Sequence, residues 1–350
     1  MPILGAMTEA QARGRARLAD VAALAGVSPK TVSNVVHNYP HVSAAMRARV
    51  QAAIEELGYR PNLTARRLVT GKTWMIALAI PWIDHPYFAE LSKFIGVEAA
   101  RRGYRVLFEQ TANSVEAERA VLRDREEGLV DGVIFHPVMI DTMEIARLQP
   151  GTPVVLLGES ARPLSTDHVM IDNVAAARDG VELLLAHGRR RIAFHATVRD
   201  DITGSTHQRL LGYQEALTAA GIPLDPALVI RSEGWTIEDS IASLRAAMRA
   251  GVEFDGVLCR DDVFATGVLT ALSAEGVSVP GDVAVVGWDD TPLARYSAPP
   301  LTTVAPDKAA IAATALDLLQ ERMDGYTGIG RHRIVGHAIA TRMTTPAPAS

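Results

Sequence analysis

The sequence predicts an N-terminal all-α helix-turn-helix head with a hinge helix, joined to an α/β body of two Rossmann-like lobes. Three observations carry this. Leu18 to Asn38, LADVAALAGVSPKTVSNVVHN, holds two short helical patterns around a glycine turn. From Trp74 onward, apolar strand-like runs alternate with amphipathic helical runs, in two successive sets. Charge divides along the same boundary: residues 1–72 carry 10 Lys and Arg against 4 Asp and Glu, and the remainder carries 25 against 36. The net charge of −5 taken alone argues against a nucleic-acid partner, but a basic head on an acidic body is the footprint of a DNA-binding module joined to something else.

Residues 1–16 read as a loose tail and 17–60 as the head. The first helix is expected from Leu18 to Ala25, with Leu18, Val21, Ala22 and Ala25 on one face. Gly26 suits a turn that needs positive φ. Ser28 is placed as an N-cap and Pro29 as the first residue of the second helix, where its missing N–H has no consequence. Val32, Val35 and Val36 then point inward. Ser28, Pro29, Lys30, Thr31, Ser33 and Asn34 form the expected DNA-reading surface, since the outward polar groups suit base edges and phosphates. Ser43 caps a third helix, Ala44 to Leu57, which Gly58 ends. A plain helical hairpin could show the first part of this pattern. The third helix makes a compact head of it.

These residues resemble the LacI/GalR-type bacterial transcription regulators. The strings that carry the resemblance are DVAALAGVSPKTVSNVV, VSAAMRARVQAAIEELGYRPN and ARRL. Met46 departs from the family, where Thr is usual, and Asn34 stands where Arg or His is frequent. Residues 61–73 can be read as a linker. The resemblance implies instead a hinge helix, capped by Asn62, that folds when two subunits meet on DNA. Leu68 would then wedge into the minor groove, with Arg66 and Arg67 on phosphates.

The body, residues 74–350, has strand candidates MIALAI, YRVLFE, DGVIFHP, PVVLLGE and HVMI, then RIAFHA, LVI, DGVLC, VAVVGW and LTTV. Helical runs between them imply doubly wound parallel sheets. The resemblance implies a periplasmic-binding-protein-like body in which the chain crosses between lobes three times, near Asn173, Ala305 and Gly336. The lobes are then about 74–173 with 306–336, and about 174–305 with 337–350.

A ligand is expected between the lobes, at the carboxyl ends of the strands. Asp84, His85, Pro86, Tyr87 and Phe88 follow the first strand. His136 follows DGVIF, Asp261 and Asp262 follow DGVLC, and Asp289 and Asp290 follow VAVVGW. Arg209 opens a helix, and Trp235 sits in the loop SEGWT. Carboxylates and a guanidinium bind neighbouring sugar hydroxyls in pairs, and an aromatic face covers sugar C–H surface. Asp84, Phe88, Arg209, Trp235 and Asp289 supply that set. The family's effector contacts carry over to Phe88, Arg209, Trp235 and Asp289, and also to Asp84, His136, Asp172 and Asp261. Bland roles compete: a helix cap for Asp262, an ion pair for Arg209 with Asp289, core packing for Phe88, a plug for Trp235.

The single Cys, Cys259, excludes an internal disulfide and fits a reducing cytosol. There is no CxxC or HExxH pattern, so no metal is expected, and no P-loop or GxGxxG follows the first strand, so no nucleotide cofactor. The front of the chain lacks a signal-peptide core, and no apolar run is long enough for a bilayer. Arg189-Arg190-Arg191 is expected to be a solvated turn. The expected function is a cytoplasmic, homodimeric repressor of transcription. Its partners would be a double-stranded pseudo-palindromic operator and a small effector, with a sugar as the expected class. The alternative is a cytosolic sugar-binding or sugar-processing protein, in which Asp84 and Asp289 would pair as acid and base.

Overall fold

A computed structural model describes residues 16–36, 39–59, 72–123, 129–148, 151–159, 164–197 and 204–345. It divides into two compact units, residues 1–73 and 74–350.

The first unit holds α1 (Leu18–Ala25), α2 (Pro29–Val36) and α3 (Ala44–Leu57). Gly26 ends α1 at φ 61, and its N–H bonds back to Ala23 O at 3.2 Å. Ser28 Oγ accepts from the Thr31 N–H at 3.1 Å and lies 2.9 Å from the Thr31 hydroxyl, which closes the first turn of α2. Ser43 Oγ accepts from the Met46 N–H at 3.3 Å, and Gly58 ends α3 at φ 58. Val21, Ala22, Ala25, Val32, Val35, Val50, Ala53 and Tyr59 form its core. Arg47 donates to Val35 O and Tyr39 O, which ties α3 to the end of α2.

The second unit contains two six-stranded sheets. The first is built from β1 (Met75–Ile80), β2 (Arg105–Gln110), β3 (Gly132–Phe135), β4 (Val154–Leu157), β5 (Asp167–Ile171) and β11 (His332–Val335), in the order β11-β5-β4-β3-β1-β2 and parallel throughout. The second is built from β6 (Ile192–Thr197), β7 (Val229–Ser232), β8 (Gly256–Cys259), β9 (Ala284–Trp288), β10 (Thr302–Pro306) and β12 (His337–Ala340), in the order β12-β10-β9-β8-β6-β7. There β12 runs antiparallel to β10, so the second sheet is mixed rather than parallel throughout.

Alternation along each strand sends residues to both faces. Ile76, Leu78 and Ile80 of β1 pack against α4 (Pro86–Arg101) and α12 (Lys308–Met323). Ala77 and Ala79 face Val121 and Leu122 of α5 (Val115–Arg123) and Ile145 of α6 (Thr142–Leu148). In the second lobe, α7 (Asn173–Ala186) and α8 (Ser205–Ala219) cover one face. On the other lie α9 (Ile237–Arg249) and α10 (Asp262–Ala274). A short helix, α11 (Pro292–Tyr296), follows β9.

The chain passes between the sheets after β5, after β10 and at Gly336. Ala305 is still inside β10, so the second passage falls at Asp307. Asp172 Oδ1 accepts from the Ala175 N–H at 2.9 Å and Asp307 Oδ1 from the Ala310 N–H at 2.8 Å, so two passages end in capped helices. The Asp307 N–H also donates to Gly336 O at 3.1 Å, joining the second and third passages.

Candidate effector site and its relatives

Between the lobes lies a cavity of about 280 Å³. Its walls come from the carboxyl ends of strands in both sheets, as doubly wound sheets dictate. From the first lobe come Trp82, His85, Tyr87, Phe88, His136 and Glu159. From the second come Arg209, Trp235, Arg260, Asp261, Trp288 and Asp289.

Six of the eight expected ligand residues meet at this cavity: Phe88, His136, Arg209, Trp235, Asp261 and Asp289. Two do not. Asp84 is exposed and outside the lining, where His85 takes the inward position. The acid–base pair of Asp84 with Asp289 is therefore not assembled. Asp172 is exposed and occupied as the cap of α7. Glu159, Arg260, Asn113 and Trp288 line the cavity without having been singled out from sequence. Each follows or ends a strand, and that position was the available signal.

Arg209 is the most constrained of these groups. Its Nε donates to Asn173 Oδ1 at 2.8 Å, its Nη1 donates to the Arg260 carbonyl, and its guanidinium lies over the Trp288 ring, 4.0 Å from the centroid. Asn173 in turn donates to Glu159 Oε1 at 2.8 Å. Glu159 follows β4, so this chain runs from one lobe to the other. Burial lowers the Arg209 pKa against the opposing pull of Asp289 and Glu159. No Arg209–Asp289 ion pair forms among the described residues. The Asp289 carboxylate receives no protein hydrogen bond among them either, although the residue is only 6% exposed. Burial pushes its pKa up, against the pull of Arg209.

A second stack places Arg260 over Trp235, 4.3 Å from the centroid, while its Nη1 pairs with Asp261 Oδ2 at 2.9 Å. Asp261 also caps α10, accepting from the Phe264 N–H at 2.8 Å. Burial raises its pKa, but Arg260, His85 and that N–H outweigh it and hold the carboxyl below its usual range. Asp262 faces inward instead, accepting from the Thr291 N–H, the Thr291 hydroxyl and the Thr303 hydroxyl at 2.7 to 2.9 Å. It braces the turn after β9. Phe88 meets His136 edge-on at 5.0 Å. Burial lowers the His136 pKa to about 4, so this ring is neutral at pH 7.

The cavity wall at Val138 and Met139 is held by a residue that sequence periodicity hides. Glu118, fully buried on α5, accepts from the Val138, Met139 and Ile140 N–H groups at 2.9, 2.9 and 3.0 Å. Arg189 donates to the Pro280, Gly281 and Asp282 carbonyls, so the arginine run is partly structural.

In the head, Ser28, Pro29 and Lys30 are exposed, and Thr31, Ser33 and Asn34 are partly so. The Thr31 hydroxyl already pairs with Ser28. Asn62, Arg66, Arg67 and Leu68 lie outside the described residues. Among the described residues no group of His, Cys, Asp or Glu could hold a metal, and no helix is long and apolar enough to cross a membrane.

Residues 17–62 match the model for bacterial regulatory proteins of the lacI family, and residues 181–345 match a periplasmic binding protein-like domain. The transcriptional regulator CelR of Thermobifida fusca is 35% identical over 330 residues, covering 90% of this chain and 94% of CelR. The chain belongs to the LacI family of transcription regulators. Solved structures agree with this membership. A CelR–cellobiose complex aligns at 30% identity with TM-score 0.70, covering 94% of this chain and 100% of that one. A lac repressor dimer bound to operator and an anti-inducer aligns at 27% identity with TM-score 0.82, covering 95% and 100%. As a LacI-family regulator, the protein combines a helix-turn-helix head with two α/β lobes, and relatives such as CelR and the repressor CytR of Escherichia coli (33% identical over 319 residues, 90% of this chain and 92% of CytR) are transcription regulators.

Proposed function

We propose that the protein is a homodimeric repressor whose affinity for a pseudo-palindromic operator is set by a sugar in the interlobe cavity. The observation that carries the ligand class is the Asp289 carboxylate. It stands at the cavity with no hydrogen-bond partner among the described residues, in the same cavity as a guanidinium held over the Trp288 ring. Carboxylate and guanidinium bind adjacent hydroxyls, and Trp235 and Phe88 offer rings for the C–H faces. The relative solved with cellobiose supports the same class.

The homodimer is supported by apolar side chains exposed on the first lobe: Phe94 and Val97 on α4, and Leu107 and Phe108 on the edge strand β2. Two heads would read two half-sites, with Ser28, Pro29, Lys30, Thr31, Ser33 and Asn34 facing DNA. In this reading Asn62, Arg66, Arg67 and Leu68 form the hinge contacts, and the protein works in the cytoplasm. Ligand would shift the lobe arrangement and, through the hinge, operator affinity.

A thermal-shift screen against sugars and nucleosides tests the ligand class. A ligand at 100 times its Kd stabilises by about 2.7 kcal/mol. A hit confined to nucleosides rejects the sugar. Operators selected from a random duplex pool test the rest: a pseudo-palindrome bound with steep salt dependence is expected, and tight binding to an isolated half-site argues against a dimer.

A further inference from the structure

The turn after β9 is strained, and one ammonium holds it. Asp289 has φ 101 and Asp290 φ 48, a left-handed conformation that is costly for residues other than glycine and persists only where the surroundings enforce it. Lys308 is 7% exposed. Its Nζ donates to the Asp289 carbonyl and, at 3.2 Å, to the Asp290 carbonyl. Both carbonyls of the strained pair thus converge on one buried cation.

Lys308 opens α12, which packs on the first sheet, whereas Asp289 and Asp290 follow β9 of the second. The ammonium also stands 2.7 Å from Glu90 Oε2, on α4 of the first lobe. Glu90 Oε1 pairs with Arg295 of α11, and Arg295 returns to the Asp290 carbonyl at 2.6 Å. Arg342 holds the Asp290 carboxylate. The result is a closed polar circuit, Lys308–Glu90–Arg295–Asp290, that spans the lobes. Burial is greatest at Lys308, so a broken link is costliest there, whereas Arg295 is about a third exposed.

We propose that Lys308 is a positioning residue for Asp289 and that, because Lys308 and Glu90 both stand on the first lobe, their contacts to the Asp289 and Asp290 carbonyls and to Arg295 tie that position to the juxtaposition of the lobes. The proposal rests on the reading of Asp289 as a ligand contact. A sugar drawn to the carboxylate pulls on a backbone whose carbonyls are bound to Lys308, and Lys308 answers to Glu90. Lobe movement separates Lys308 and Glu90 from these second-lobe partners and releases the turn.

Hydrogen exchange on the full chain, without ligand, tests the tie. The reporting amides are Asp289, which donates to Val304 O at 2.8 Å, and Thr291, which donates to Asp262 at 2.7 Å. Glu90 touches neither. Lys308→Met and Glu90→Gln are each expected to speed exchange over residues 289–291 about tenfold, with β6 and β8 unchanged. The double variant is expected to match Lys308→Met, as a single device requires. Unchanged exchange over 289–291 in Glu90→Gln overturns the tie between the lobes, and so do additive effects in the double variant. Uniformly faster exchange in Lys308→Met means general destabilisation and overturns its positioning role. Cellobiose affinity is then compared in parent and Lys308→Met, with about tenfold weakening expected and equal affinity counting against the role. A parent that no sugar stabilises overturns the ligand reading, while exchange still decides the Lys308 tie.

Discussion

Arg209 lies on the face of Trp288 with its Cζ 4.0 Å from the ring centroid, and the same side chain donates to Asn173 and to the Arg260 carbonyl. Two fixed donors and one stacked face leave the guanidinium a single plane. A lysine keeps the charge but neither the fork nor the stack. Arg209→Lys is therefore expected to weaken sugar binding ten- to a hundredfold, about 1.5–3 kcal/mol for a charged hydrogen bond. Calorimetric titration with the best sugar of the thermal screen measures it. Affinity within threefold of the parent would remove Arg209 from the site.

Asp289 should behave differently, because among the described residues its carboxylate has no hydrogen-bond partner to lose. Asp289→Asn is expected to leave the melting temperature within a few degrees while cutting sugar affinity at least tenfold. Operator binding in the absence of sugar should persist, since the residue lies in the body. A variant that unfolds would point to a structural role for the carboxylate.

The body strands were legible because strands buried on both faces read as continuous apolar runs, as in MIALAI and VAVVGW. The two missed strands are HRIV and HAIA, at sheet edges, where three residues of β11 are exposed and no apolar run marks them. The short helices α6 and α11 span 7 and 5 residues, too few for a helical period to show in the sequence. At the site, the carboxyl ends of strands located the right segments but not which side chain turns inward. One residue separates exposed Asp84 from cavity-lining His85. Asp172 has the composition of a ligand contact and the position of a cap, and only the structure shows the cap bond. Glu118 was illegible because its partners are backbone N–H groups some twenty residues away in the chain.

That same Glu118 yields a sharp expectation. Its carboxylate satisfies three N–H groups beside the cavity, and burial raises its pKa against their opposing pull. Glu118→Ala leaves those donors unpaired, at a cost of about 3 kcal/mol. Chemical denaturation reads the loss, and faster hydrogen exchange at Val138 to Ile140 locates it. A loss under 1 kcal/mol would mean that the wall is held elsewhere.

In the head, Gly26 sits at φ 61 with nothing within 4 Å of where a Cβ would stand. Gly26→Ala thus costs only backbone strain, about 1–2 kcal/mol. Ser28→Ala removes the α2 cap at about 1 kcal/mol. Hydrogen exchange of α1 and α2 amides should quicken in both variants, with the body unchanged. Equal protection in parent and variants would show that the turn is not what holds the two helices.

Three buried groups contribute to the pH dependence of stability between pH 4.5 and 6.5, and their signs oppose. Burial lowers His136 and His195 from 6.5 to about 4. The unfolded chain therefore takes up those protons first, and the stability tied to each neutral ring is present above pH 6.5 and lost as pH falls through 4. Asp262 is raised to about 7, by burial first and by Asp289 second. Its contribution is full below the ordinary 3.8 and lost as pH rises through 7. Within the window each histidine adds a proton to the unfolded chain and Asp262 adds one to the folded chain. One proton corresponds to about 1.4 kcal/mol per pH unit. His195→Gln should therefore lower the slope of stability against pH by about that amount, and Asp262→Asn should raise it by the same. The changes concern slope, so they are readable whatever each variant loses at fixed pH. Denaturation midpoints collected across the window provide the measurement. A His195→Gln slope equal to the parent's would show that this imidazole is protonated in the fold, with Ser243 Oγ, 2.9 Å from its Nε2, accepting from it.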